Sequence, residues 1–97
     1  MIQAVYKDTV IAQSEKTIFL EGNHYFPAEE VETKYLIPNN HRTTCPWKGQ
    51  SQYYDISVSD KTPNAAWHYP EPKEAASDIK GHIAFDTSII EVKDLSE

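Results

Sequence analysis

The sequence predicts a mainly β domain, a compact antiparallel sheet fold with one short helix near the C-terminus. Three observations predict it. Nine Ile and five Val stand against three Leu in 97 residues, and branching at Cβ suits a pleated surface better than a helix. The segment Gln52–Val58 alternates, with Tyr54, Ile56 and Val58 on one face and Tyr53, Asp55 and Ser57 on the other. The remaining apolar runs are short and punctuated by turn residues. Leu, Ile, Val and Phe together number twenty, just above the roughly 20% floor associated with disorder. The length suits a single domain over residues 1–97. A chain of this size buries roughly 60–65% of its unfolded surface, so its core is thin.

Residues 3–7 read as a first strand, and Lys7-Asp8-Thr9 turns the chain into Val10–Gln13. Ser14-Glu15-Lys16 turns it again into Thr17–Leu20, and the three segments look like a β-meander. Gly22-Asn23 marks a break, because both residues tolerate positive φ. Tyr25–Val31 reads as one short helical turn, with Pro27 at its first position and Glu29 and Glu30 complementing its positive end. Lys34–Ile37 is extended, and Pro38-Asn39-Asn40-His41-Arg42 is a loop by its turn chemistry.

Beyond the strand at 52–58, Asp60–Asn64 turns the chain and Ala65–Tyr69 extends it again. Residues 72–80 are the predicted helix: Pro72 opens it, Ala75, Ala76 and Ile79 give it a narrow apolar face, and Gly81 ends it. His82–Asp86 is a strand with Ile83 and Phe85 inward, and Ile89–Val92 is the last strand before a polar tail.

Charge and composition exclude several functions. Fifteen acidic side chains against nine Lys+Arg leave a formal charge of −6, so a nucleic-acid backbone is not an expected partner. No apolar run approaches a membrane span, and the N-terminus lacks a secretion-signal pattern. One cysteine, Cys45, cannot close an intrachain disulfide. A cytoplasmic location follows as the default expectation. His24, His41, His68 and His82 lack the close spacing of a metal site built on one element, so neither metal nor cofactor is expected.

Four segments stand out: Glu21-Gly22-Asn23-His24-Tyr25-Phe26-Pro27, Thr44-Cys45-Pro46-Trp47-Lys48-Gly49, Ala66-Trp67-His68-Tyr69-Pro70-Glu71-Pro72 and Ile79-Lys80-Gly81-His82-Ile83-Ala84-Phe85. Together they resemble the bacterial domain-of-unknown-function family 427 over nearly the whole chain. The Cys-Pro-Trp-Lys-Gly core followed by Tyr53-Tyr54 is the most specific part. The resemblance implies a mostly antiparallel β-fold similar to the β-tent domains and no established activity. The family also carries a nucleotidyltransferase-like label, but this sequence has no Gly-Ser element followed by paired metal-binding acids.

The chemistry of these segments allows three readings. In the first, Trp47, Trp67 and Tyr69, each close to a proline, wall a pocket for an organic small molecule. Lys48 stands at its rim and selects an acidic or carbonyl oxygen. In the second, an enzyme uses Cys45, Lys48, His24 and Glu21, with the lysine lowering the thiol pKa and Glu21–His24 as an acid–base pair. In the third, an exposed β edge or Pro70-Glu71-Pro72 meets a protein partner. Each has an ordinary counterpart: aromatics that thicken a thin core, a mostly buried inert Cys45, and a solvated Lys48 before a turn glycine. The first reading is the one adopted.

Overall fold

The computed structural model describes residues 1–95, so Ser96 and Glu97, the end of the expected polar tail, lie outside the described residues. Among the described residues, nine strands form two sheets: β1 (Ile2–Tyr6), β2 (Thr9–Ser14), β3 (Ile18–Leu20), β4 (Asn23–Pro27), β5 (Leu36–Cys45), β6 (Gly49–Val58), β7 (Asp60–His68), β8 (His82–Phe85) and β9 (Glu91–Asp94). The smaller sheet has the order β2-β1-β9 and the larger β3-β4-β8-β7-β6-β5. Every ladder is antiparallel. None of the described helices is long and apolar enough to cross a membrane.

Two tight hairpins start the chain. Tyr6 pairs with Thr9 across Lys7-Asp8, and Leu20 pairs with Asn23 across Glu21-Gly22. All four loop residues have positive φ, the geometry whose twist matches that of the flanking strands. The predicted three-strand meander therefore stops after β2, because β3 joins β4 in the other sheet. The predicted break at Gly22-Asn23 is the second hairpin, with Asn23 already opening a strand.

The short helical turn expected after Pro27 is present as a 3-10 turn, Ala28–Glu30, and a second follows at Thr33–Tyr35. The segment read as a loop, Pro38–Arg42, lies inside β5. It is an irregularity between two stretches of regular pairing with β6. Its turn-forming side chains hold a bulge instead of ending the strand: Asn39 Nδ2 donates to Asp55 Oδ1 (2.6 Å) and to Asn64 Oδ1 (2.9 Å). Pro38 is tolerated because β5 is an edge strand.

The predicted helix over 72–80 is instead a 3-10 segment, Glu74–Ile79, interrupted where Ala76 leaves helical geometry at φ −121°, ψ 21°. Ala76 and Ile79 are buried, but Ala75 is exposed. A 3-10 turn eclipses residues three apart, which places 76 and 79 on one side and removes 75 from it.

β8 then inserts between β7 and β4. Both its faces are covered, so Ile83, Ala84 and Phe85 are all buried. On one face, Phe26, Ile56, Ala66, Ile83 and Phe85 pack against Ala4, Ile11 and Ala12 of the small sheet. On the other, Tyr25 and Ala84 pack with Tyr69, Ala76 and Ile79.

Candidate functional site

The second face carries most of the residues singled out in the sequence. Pro46-Trp47-Lys48 forms the turn between β5 and β6, closed by the Cys45–Gly49 pair. Gly49 has φ 113°, and a Cβ there would stand 3.3 Å from the Glu71 carbonyl oxygen. Only glycine meets both demands comfortably. The 71–73 segment crosses this turn as a strap: Lys73 N–H donates to Lys48 O (2.9 Å), and Lys73 Nζ donates to Pro46 O (2.6 Å).

Lys48 is buried, with 8% of its surface exposed, not at a rim as the sequence suggests. Its ammonium lies 5.6 Å from the centroid of the Trp47 ring and 5.5 Å from that of Tyr69, a cation–π environment on two sides. It donates to Glu21 Oε1, and Trp47 Nε1 donates to Glu21 Oε2 at 3.1 Å. Glu21 thus uses both carboxylate oxygens from a left-handed position at φ 50°, a conformation that costs a non-glycine residue about 1–2 kcal/mol.

The electrostatics follow from this geometry. The hydrogen bond from Lys48 is the main cause holding the Glu21 carboxyl below its ordinary value, against the opposing effect of burial. Burial is the largest single effect on Lys48 and pulls it down. The Glu21 hydrogen bond and the fields of Tyr25 and Tyr69 together outweigh it, leaving Lys48 above its ordinary value. Burial raises the Tyr69 hydroxyl, with Lys48 acting the other way.

Behind the ion pair, Trp67 Nε1 donates to the Tyr25 hydroxyl at 3.3 Å, and its ring lies 5.9 Å from that of Tyr53. Trp67 and Cys45 both pack on the Tyr25–Tyr69 cluster. The structure therefore brings Glu21, Cys45, Trp47, Lys48, Trp67 and Tyr69 into one neighbourhood. Cys45 is half-buried, less enclosed than the sequence suggests.

His24 does not join them. It faces the other side of β4 from Tyr25, where its Nδ1 pairs with Thr17 Oγ1 at 2.9 Å and its ring meets Phe19 at 4.7 Å. The candidate Glu21–His24 acid–base pair is not formed: the Glu21 carboxylate is held by Lys48 and Trp47, while His24 projects from the face of β4 opposite Tyr25 and is held by Thr17. Among the described residues, no group of three or more His, Cys, Asp or Glu side chains is arranged to hold a metal.

A feature that sequence reasoning missed is a groove of about 320 Å³ lined by Gln50, Gln52, Pro70 and Glu71. It does not include Trp47, Lys48, Trp67 or Tyr69. Polar strand residues and a post-strand proline give no sequence signal for such a groove.

A family model described as "Domain of unknown function (DUF427)" matches residues 1–95. No curated protein matches the chain.

Proposed function

We propose a ligand-binding role for this chain, which belongs to the domain-of-unknown-function family 427: a small module that receives an organic anion at Lys48. One observation carries the reading. The Lys48 side chain is only 10% exposed while that of its partner Glu21 is 47% exposed, so the solvent-side half of the ion pair is the carboxylate. A ligand carboxylate arriving from solvent competes for the same two donors, the Lys48 ammonium and the Trp47 indole N–H. The Trp47 ring supports a flat apolar portion of the ligand, while Trp67 and Tyr69 form the wall behind the ammonium. In the free protein Glu21 stands where the ligand anion would.

Competition of this kind has a distinctive consequence: removing the internal carboxylate strengthens binding, and removing the ammonium abolishes it. Thermal stabilisation by benzoate, with benzamide as the neutral comparator, tests it on wild type, Glu21→Gln and Lys48→Met. Binding to the native state raises the melting temperature by an amount that grows with the logarithm of ligand concentration over Kd, so the rise caused by a fixed ligand concentration is compared within each protein. The expected order for benzoate is Glu21→Gln above wild type above Lys48→Met, with no such order for benzamide. Equal benzoate effects in wild type and Lys48→Met would sink the reading and leave the pair as a fastener between hairpin and turn.

A further inference from the structure

We infer that the outer edge of β9 is an interaction surface for a second copy of this chain, joining two small sheets across a two-fold axis at Val92. Among the described residues the two sheets end on four edge strands, β2, β9, β3 and β5. An edge strand offers unpaired N–H and C=O groups to any other strand. Three of the four are guarded. The outer side of β2 is occupied by the Ala12–Val31 bridge and by the Glu32 N–H, which donates to Ile11 O at 2.8 Å. β5 is broken by Pro38 and the bulge that follows it, and β3 has only three residues. β9 pairs with β1 in an unbroken register, and no described strand lies on its other side.

The backbone sets which groups face outward. Leu95 N–H donates to Met1 O at 2.8 Å, so the hydrogen-bonded positions along this ladder are Met1–Leu95, Gln3–Lys93 and Val5–Glu91. Val92 stands opposite Ala4 at the intervening, non-hydrogen-bonded position. Its N–H and C=O therefore point away from β1, toward the open side. Its side chain packs on the core that contains Ala4, and Glu91 and Lys93 are exposed on the outer face.

Side-chain order then selects the partner. When two β9 strands meet antiparallel with Val92 opposite Val92, Glu91 of each copy stands opposite Lys93 of the other. These are non-hydrogen-bonded positions of the new ladder, where opposed side chains come closest, and opposite charges there are stabilising. A lysine on an edge ordinarily discourages pairing. Here the glutamate two residues away makes it half of a self-complementary pattern. A two-fold axis at residue 91 or 93 would oppose like charges, and the backbone groups of both residues are already turned to β1. The ends of the strand agree: Ile89 is 37% exposed and Leu95 43%, and antiparallel pairing brings the start of one strand to the end of the other. With four residues in β9, the contact belongs to the transient class below roughly 1,200 Å². The charge of −6 on each copy opposes approach and weakens it further.

The test is sedimentation velocity of the full chain at concentrations up to about 1 mM, the range in which so small a contact associates. The apparent mass is expected to rise from one chain toward two, and the Val92 amide resonance to shift with concentration. Glu91→Lys and Lys93→Glu, each alone, oppose like charges and should weaken self-association about tenfold or more. Mixed in equal amounts, the two variants should associate again, because every cross pair of the mixed dimer joins a lysine to a glutamate. Both side chains are exposed, so each variant should keep the spectral dispersion of the folded chain, which separates lost association from lost folding. The proposal is overturned if wild type stays monomeric throughout, which would leave β9 open to a different strand. It is equally overturned if either variant self-associates like wild type, or if the mixture stays monomeric. The Lys48 proposal stands or falls separately, because β9 belongs to the small sheet and neither variant alters the turn that holds Lys48.

Discussion

Around β8 the two faces of the large sheet are both covered, yet by different chemistry. The face under the small sheet packs Ile, Phe, Val and Ala, with Phe26 and Phe85 edge-to-face at 5.5 Å. The face under the 3-10 segment and the strap packs Tyr25 and Tyr69 and brings Trp67, Cys45 and Lys48 beside them. A core of hydrocarbon side chains needs little but shape and area. A core containing hydroxyls, an indole and an ammonium needs a partner for each polar atom. Trp67 finds Tyr25, Trp47 finds Glu21, and Lys48 also finds Glu21. The first face maintains the fold, whereas the second accepts a desolvation cost that stability alone does not require.

Truncating the hydrocarbon face is expected to do the greatest damage. Phe85 is 1% exposed in the central strand, so Phe85→Ala should cost about 3–5 kcal/mol by urea denaturation. Ile79 is equally buried but belongs to the other cluster. Ile79→Ala should cost about 2–4 kcal/mol, with some of the loss recovered as the short 3-10 segment relaxes. If Ile79→Ala proved the more damaging of the two, the assignment of stability to the first face would fail.

Asp55 tests a third kind of burial, on the strand between the bulges. Its Oδ1 accepts from Asn39 Nδ2 at 2.6 Å and from the Asn64 backbone N–H at 3.1 Å. The Asn39 hydrogen bond is the main cause keeping its carboxyl below the ordinary value. Asp55→Ala leaves those donors without their acceptor and should cost about 1–3 kcal/mol. Unchanged denaturation would show that β5 and β6 hold their irregular register without it.

These residues also show where the sequence could and could not be read. The β class was legible because Ile and Val dominate, and the helical turn at Ala28–Glu30 was legible because Pro27 and two glutamates mark it locally. Asn39 misled because the side chain that favours a turn equally well supports a bulge, and the choice was made by Asp55, sixteen residues away. Ala75 misled because its spacing suited an α-helix and the chain formed 3-10 turns. For the site, the proline-flanked aromatic segments were visible as words in the sequence. The Glu21–Lys48 pair was not, since a contact over twenty-seven residues leaves no local pattern.

That pair gives the sharpest contrast between variants on the polar face. Lys48 is the enclosed partner and Glu21 the solvated one. Glu21→Gln leaves a buried ammonium without its counter-charge, while Lys48→Met replaces it with an apolar chain of similar shape and leaves a carboxylate in water. Glu21→Gln should therefore be the less stable of the two in buffer free of organic anions. The reverse order would show that the ammonium does not need its counter-charge.

The smallest expected effect is a pH dependence confined to this pair. Glu21 titrates below its ordinary value in the folded chain, chiefly through Lys48. Its stabilising contribution is therefore complete above the unfolded carboxyl pKa and is lost as pH falls through the depressed folded one. Lys48 titrates above its ordinary value, so its contribution is complete below the unfolded lysine pKa and is lost as pH rises through the raised one. The pair thus contributes fully between the two unfolded values. Acid unfolding alone cannot isolate it, because Asp55 is also depressed and loses its contribution on the same limb. The Trp47 indole N–H can, since it donates to Glu21 and not to Asp55. Its NMR resonance should titrate with a midpoint below the ordinary glutamate range, and Lys48→Met should move that midpoint upward. A midpoint unmoved by Lys48→Met would mean that the ammonium does not hold the carboxylate in solution. The polar face would then lose the interaction that sets it apart from the hydrocarbon one.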